Sequence, residues 1–112
     1  MTLTIFATPK AFTRHIGVAQ RNAIQSWLAL RPKPRVILLG NDSGTSETAH
    51  ALGTEHIADV AYNEFGTPLL SSVFAKAHEV THGGLMLYVN ADIILMRDIM
   101  RAIDAVPPGD FS

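Results

Sequence analysis

The sequence has 112 residues, of which 47% are hydrophobic and 17% are charged, so it predicts one folded domain rather than a disordered segment. Nine basic side chains against ten acidic ones give a net charge of −1 and argue against a nucleic-acid-binding surface. The absence of cysteine excludes disulfides and thiolate metal sites. No apolar run approaches the roughly 18 residues of a transmembrane segment, and no signal peptide is recognisable, so we expect a cytoplasmic protein.

The first third of the chain predicts a strand followed by a helix. Residues 3–7 are apolar and β-branched and end at Thr8-Pro9. Arg31-Pro32-Lys33-Pro34 ends the helix, because proline cannot continue it. Apolar residues between these points recur three and four positions apart, which predicts one buried helix face made of Ile16, Ala19, Ala23, Trp27 and Leu30.

The middle of the chain repeats this alternation. Residues 36–39 predict a second strand, and the cluster Gly40-Asn41-Asp42-Ser43-Gly44 predicts a turn. Residues 46–52 predict a short helix, with Thr45 or Ser43 as its N-cap and Gly53 as its end. Residues 55–60 predict a short third strand.

The last part predicts a third helix, a fourth strand and a final helix. Thr67-Pro68 reads as an N-cap and a first helical residue. Residues 85–89 are continuously apolar, which predicts a strand buried on both faces. The third helix is predicted to end at Gly83-Gly84 and has apolar residues at helical spacing: Leu70, Val73, Ala77 and Val80. The final helix, residues 97–106, is predicted to have Ile99, Met100, Ile103 and Val106 on its inner side.

The alternation of strands and helices predicts a Rossmann-like, three-layer α/β/α fold with a mainly parallel sheet, spanning residues 1–112 as a single domain. In such sheets, ligands bind outside the carboxyl ends of the strands. If strands one, two and four are neighbours, residues 8–10, 40–42 and 90–92 meet at that edge.

Asp92 is the candidate metal ligand at this edge. Mg²⁺ and Mn²⁺ take few protein carboxylates and complete their shells with phosphate oxygens and water. Asn90, two residues earlier, offers a neutral oxygen or a hydrogen bond. The alternative is that Asp92 only caps a turn at the end of a strand.

The other candidate residues lie in three loops, and each has a structural alternative. Asp42, next to Asn41, either contacts a base or ribose or belongs to an ordinary turn. Thr8-Pro9-Lys10 either forms a pocket wall or is a plain strand exit. The loop of residues 63–68, which contains Asn63 and Gly66, either approaches a ligand with its backbone ahead of a helix N-terminus or is a glycine turn and helix cap. Lys10, with Arg14 and Arg21, either meets a diphosphate or is solvated.

Several catalytic motifs are absent from the sequence. It contains no GxGxxG, P-loop, G-x-S-x-G or CxxC pattern, which argues against dinucleotide oxidoreductases, nucleoside triphosphatases and serine hydrolases. His78 and His82 are spaced like a helical metal pair but lack the HExxH context of zinc proteases. Trp27 is expected in the core.

These segments together resemble the N-terminal half of a GT-A fold glycosyltransferase of the family 2-like, nucleotide-diphospho-sugar transferase type. The resemblance covers most of the chain. It rests on Thr8-Pro9 after strand one, on Gly40-Asn41-Asp42, on Asn63-x-x-Gly66-Thr67-Pro68 ahead of a helix, and on residues 87–92, which fall where such enzymes carry a D-x-D signature.

The resemblance implies a partial GT-A fold that binds a nucleotide-sugar donor and a hexosyltransferase-type activity toward an unknown acceptor. Asp92 would coordinate the Mn²⁺ or Mg²⁺ that bridges the diphosphate. The base would lie near the ends of strands one and two. The implied donor-binding residues are Thr8, Pro9, Lys10, Asn41, Asp42, Asn63, Gly66 and Asn90.

The chain departs from the family pattern at two points. Asn90 replaces the first carboxylate of the D-x-D, which should lower metal affinity. Acceptor and base residues of GT-A enzymes follow the D-x-D, and only about 20 residues follow Asp92, so no catalytic base is assigned. We expect a donor-binding half that is truncated, completed by a missing C-terminal half, or self-associated as a homo-oligomer. The alternatives are a non-catalytic nucleotide-binding or other α/β module, a nucleotidyltransferase, and an inactive fragment.

Overall fold

The computed structural model describes residues 3–81 and 84–95 of the chain. The described strands form one four-stranded, all-parallel sheet in the order β3-β2-β1-β4. The predicted Rossmann-like α/β class is therefore confirmed. The elements are β1 (Leu3–Ala7), α1 (Arg14–Leu28), β2 (Arg35–Leu39), α2 (Thr45–Leu52), β3 (Glu55–Ile57), α3 (Leu70–Val80) and β4 (Leu85–Tyr88).

Helices α1 and α2 contribute to the core on one face of the sheet, and α3 contributes to the core on the other. Ile5 of β1 packs in the cluster that contains Trp27 of α1 and Ala49 of α2. Phe6, the next residue, packs in the opposite cluster with Val73 of α3. Successive strand residues point to opposite faces, so a continuous apolar strand supplies both cores.

The strand order reverses between β1 and β4. The chain moves from β1 to β2 to β3 in one direction and then returns across the sheet to the other side of β1. Right-handed crossovers place helices on opposite faces when the direction reverses, as observed for α1 and α3. The carboxyl ends of β1 and β4 therefore flank a topological switch point, where open α/β sheets bind ligands.

The fourth strand packs on both faces of the sheet, as predicted, but it is buried less fully than expected. Leu85 and Leu87 pack against one core cluster, and Met86 and Tyr88 pack against the other. All five β1 residues are buried, whereas every residue of β4 is only half-buried. Within the described residues β4 pairs with β1 alone, so one of its edges has no neighbouring strand.

The predicted inner face of α1 is also partly wrong. Ile16 is 47% exposed and Ala19 is exposed, while Gly17 and Gln20 are buried. The reason is that the β1–α1 loop folds over the first turn of the helix. A Cβ on Gly17 would lie 2.9 Å from the Phe12 carbonyl carbon, so only glycine permits this approach. Ala23, Trp27 and Leu30 are buried as predicted.

The predicted N-terminal caps of α2 and α3 are wrong, and the predicted C-terminal end of α2 is confirmed. Helix α2 has Gly44 at its N-cap, with φ +87°, rather than Thr45 or Ser43, and it ends at Gly53 as predicted. Helix α3 starts at Leu70 rather than Pro68, because Pro68 pairs with Tyr62 in an isolated antiparallel bridge.

Three further sequence predictions concern the third strand, the final helix and membrane-spanning segments. The third strand ends at Ile57 rather than residue 60. The predicted helix 97–106 and residues 82–83 lie outside the described residues. Across residues 3–81 and 84–95, no helix has the length and apolar character needed to cross a membrane.

Candidate functional site

A cavity of about 310 Å³ opens at the switch point between β1 and β4. Its walls come from the β1–α1 loop, the start of α1 and the segment that follows β4. Four predicted site residues line it on two sides: Thr8 and Lys10 from the first loop, and Asn90 and Asp92 from the segment after β4. The remaining lining residues are Ile16, Gln20, Tyr88 and Ala91.

The parallel register brings the two polar walls to the same level. Phe6 of β1 pairs with Tyr88 of β4, so Thr8 and Asn90 each lie two residues beyond this pair. The Thr8 and Tyr88 hydroxyl oxygens form a hydrogen bond of 3.0 Å across the strand ends. Tyr88, which lines the cavity, also packs against Phe6 and Phe74, with ring centroids 5.4 and 5.6 Å away, and these contacts restrict the orientation of its ring.

The β1–α1 loop is held by a buried amide. Gln20 is 2% exposed, and its Oε1 accepts the Lys10 backbone N–H at 2.7 Å. Its Nε2 donates to the Lys10 carbonyl oxygen at 2.9 Å. Two hydrogen bonds to one residue restrict the backbone that carries the Lys10 side chain, and this side chain lies exposed at the cavity.

The same loop is fixed again at Phe12. The Phe12 backbone N–H donates to the Ser43 carbonyl oxygen at 2.8 Å, which links this loop to the loop after β2. The Arg21 guanidinium lies 5.5 Å from the centre of the Phe12 ring. Of the three basic residues considered for a diphosphate contact, Lys10 lines the cavity, whereas Arg14 and Arg21 do not.

The segment after β4 is tied to α1. The Trp27 indole Nε1 donates to the Ile93 carbonyl oxygen at 2.8 Å, and the Leu95 backbone N–H donates to Ser26 Oγ at 3.0 Å. The Ile93 N–H donates to the Asn90 carbonyl oxygen at 3.1 Å, which closes a turn around Asp92. Asp92 is exposed within this turn.

Asn41 and Asp42 lie at the same sheet edge but do not line the cavity. The Asn41 backbone N–H donates to the Tyr62 hydroxyl at 2.6 Å. The Asp42 carbonyl oxygen accepts the Thr45 N–H at 3.1 Å, which is ordinary turn geometry. This loop therefore stands beside the cavity, on the far side of the β1 exit.

Asn63 and Gly66 also lie outside the cavity lining. The Asn63 side-chain oxygen accepts the N–H groups of Phe65 and Thr67 at 2.9 and 3.0 Å, so it closes its own loop. Gly66 adopts φ +78° in this turn, which suits glycine. This geometry agrees with the turn alternative. Pro9, the remaining predicted residue, is buried and is not part of the lining.

Among the described residues, the charged groups that line the cavity are one carboxylate and one ammonium. Asp92 lies on the β4 side and Lys10 on the β1 side. The Asn90 amide also lines the cavity, and its oxygen could coordinate a cation. No cluster of three or more histidine or acidic side chains that could hold a metal occurs among the described residues. Arg35 and Glu55 form an ion pair that does not line the cavity. The hydrogen bond between the two side chains lowers the pKa of Glu55 and raises the pKa of Arg35.

Gln20, Ile16 and Tyr88 line the cavity without being predicted from the sequence. Gln20 carried a usable signal, because it is a polar residue three positions from both Gly17 and Ala23 on the buried face of α1. The sequence signal at Ile16 was misleading, because its helical spacing predicted burial in the core, whereas the residue is exposed and lines the cavity.

Comparison of this chain with protein-family models, with curated proteins and with solved structures finds no match.

Proposed function

We propose that this chain binds a nucleoside-diphosphate sugar in the cavity between the ends of β1 and β4, as the donor-binding part of a glycosyltransferase. The single observation that carries this proposal is the joint lining of the cavity by Lys10 and Asp92 at the topological switch point. An ammonium suits the diphosphate directly, and a carboxylate suits a cation bound to it.

The size and lining of the cavity support a ligand of this kind. A volume of about 310 Å³ is at the lower end of small-molecule sites, so it suits a diphosphate with one adjoining group. Tyr88 and Ile16 supply apolar surface, and Thr8 and Asn90 supply hydrogen-bonding groups. Such a mixture orients a polar ligand that carries a ring.

The donor set fits a divalent cation that is held jointly with the diphosphate. Mg²⁺ and Mn²⁺ are commonly bound by one or two carboxylates together with substrate phosphates and water. Asp92 would be the protein ligand, and Asn90 would bind through its carbonyl oxygen or a water molecule. The cation would offset the negative charge that develops on the departing nucleoside diphosphate. Lys10 would neutralise part of the same charge.

The experiment is calorimetric titration of the chain with UDP, GDP and TDP, each with and without Mn²⁺. We expect one nucleotide to bind more tightly with Mn²⁺. Asp92→Asn should abolish the Mn²⁺-dependent gain and leave binding without metal unchanged. Asp59→Asn is the matched control: this carboxylate is 92% exposed, away from the cavity, and should have no effect.

Two outcomes would contradict the proposal. Absence of binding by all three nucleotides would remove the donor site. Equal Mn²⁺ dependence in the wild type and in Asp92→Asn would remove the metal role of Asp92. A sugar-transfer activity is tested separately, by measuring release of the nucleoside diphosphate from the sugar derivative of whichever nucleotide binds.

A further inference from the structure

The β1–α1 loop contains a buried polar contact that packing alone does not require. Gln20 is on the inner face of α1, between the buried residues Gly17 and Ala23, and is 2% exposed. An amide at such a position loses its hydration, so it is tolerated only when its polar atoms find partners. An apolar side chain would fill this position without that requirement.

Gln20 finds both partners on a single residue. Its oxygen and its nitrogen bond to the N–H and the carbonyl of Lys10, at 2.7 and 2.9 Å. The Gln20 side-chain amide thus pairs with the Lys10 backbone as a neighbouring strand would, through one accepted and one donated hydrogen bond. It restricts both peptide groups that flank the Lys10 Cα, and thereby the direction in which its side chain leaves the backbone.

We propose that Gln20 is a positioning residue: it holds the Lys10 backbone so that the ammonium faces the anionic part of the ligand in the β1–β4 cavity. The proposal rests on the proposed function for the identity of the ligand. Lys10 has a flexible four-carbon side chain that loses much rotamer freedom when it binds. A backbone fixed beforehand reduces the ordering that binding must still impose.

The hydrogen bonds also couple the cavity to the core. Gln20 is one helical turn before Ala23 and two turns before Trp27, both fully buried. Gln20 is thus part of the buried face of α1, and the same helix is hydrogen-bonded through Trp27 to Ile93, next to Asp92. The loop that carries the Lys10 ammonium and the segment that carries the Asp92 carboxylate are therefore both hydrogen-bonded to α1.

The test is a double-substitution cycle with UDP as the probe and uridine as the reference lacking phosphate. Gln20→Met keeps the length of the side chain but breaks both hydrogen bonds to Lys10. We expect a loss of about tenfold in UDP affinity and no change for uridine, because only the diphosphate meets Lys10. In a Lys10→Met background, the same change should cost less than twofold. Gln25→Met, on the exposed side of α1, is the matched control.

Amide hydrogen exchange supplies a readout that needs no ligand. Gln20→Met should raise the exchange rate of the Lys10 amide, while β1 amides stay protected. Gln20→Leu repeats the measurement with a second apolar side chain, in case Gln20→Met does not fold.

Four results would overturn the proposal. Unchanged exchange at Lys10 would show that Gln20 does not hold the loop. Equal losses for UDP and uridine, or additive losses with Lys10→Met, would show a structural role only; the proposed function would survive either result. Failure of the wild-type protein to bind UDP, GDP and TDP would end both proposals.

Discussion

Replacing Trp27 tests the connection between the core and the cavity. Trp27 is fully buried, and its N–H donates to the Ile93 carbonyl oxygen, one residue beyond Asp92. Trp27→Phe removes this donor and part of the ring volume. We estimate a loss of about 1 kcal/mol for the hydrogen bond to a partly exposed carbonyl. The smaller ring should cost about 1–2 kcal/mol more.

The free energy of unfolding should therefore fall by about 2–3 kcal/mol, measured by urea denaturation. Far-ultraviolet circular dichroism is the appropriate signal, because Trp27 is the sole tryptophan and its fluorescence is lost. With an m-value of about 1–3 kcal/mol per molar, the urea midpoint should drop by about 0.7–3 M. The same substitution should weaken the Mn²⁺-dependent part of nucleotide binding, since the turn that carries Asp92 loses an anchor.

A size-matched variant separates the two contributions. Benzothienylalanine at position 27 keeps a fused ring of nearly the same volume but has sulfur in place of the N–H. It should lose only the hydrogen-bond part, about 1 kcal/mol. The reasoning fails if this variant is as stable as the wild type and binds nucleotide equally well, because the indole N–H would then anchor nothing.

Two further predictions concern stability. Gly44→Ala should lower the free energy of unfolding by about 2–3 kcal/mol, because φ is +87° and the new Cβ would lie 2.8 Å from the Phe12 Cβ. Gly53 has φ +77° and no atom within 4 Å of a new Cβ, so Gly53→Ala should lower the free energy of unfolding by only about 1 kcal/mol, measured by urea denaturation. Equal losses for the two variants would show that the contact with Phe12 does not contribute. Glu55→Gln should cost about 0.5 kcal/mol at pH 7, since the Arg35 ion pair is partly exposed. Because the pKa of Glu55 is lowered on folding, this difference should persist above pH about 4.5 and vanish as the pH falls through the lowered value. A pH-independent difference in urea melts would contradict the ion-pair explanation.

The sequence predicted the sheet well because strand patterns are local. Short apolar runs bounded by proline and glycine located all four strands, and their alternation with helices gave the parallel class. The β1–β4 pairing was only assumed, because no residue pattern indicates which strands are neighbours; the structure shows that the two strands are paired. The burial of β4 was overestimated because apolar content reports hydrophobicity, whereas burial depends on the position of a strand in the sheet.

The candidate site was only partly predictable. Polar residues directly after β1 and β4 were identifiable, because parallel strands place their carboxyl ends at one edge. The helical spacing of Gln20 from Ala23 was visible in the sequence, but its role was not identified, because its hydrogen-bond partners lie in a loop that folds back over α1. Asn63 was ambiguous in sequence because the same residue type serves ligands and Asx turns; its hydrogen bonds agree with the turn.

Nuclear magnetic resonance of ¹⁵N-labelled protein, titrated with UDP and then with Mn²⁺, shows whether Lys10 and Asp92 face one ligand across the β1–β4 cavity. We expect chemical-shift changes at the amides of Thr8, Lys10, Asn90 and Asp92, followed by Mn²⁺ line broadening that is strongest around Asp92. Shift changes confined to residues 41–42 and 63–67, or broadening centred away from residue 92, would contradict this expectation.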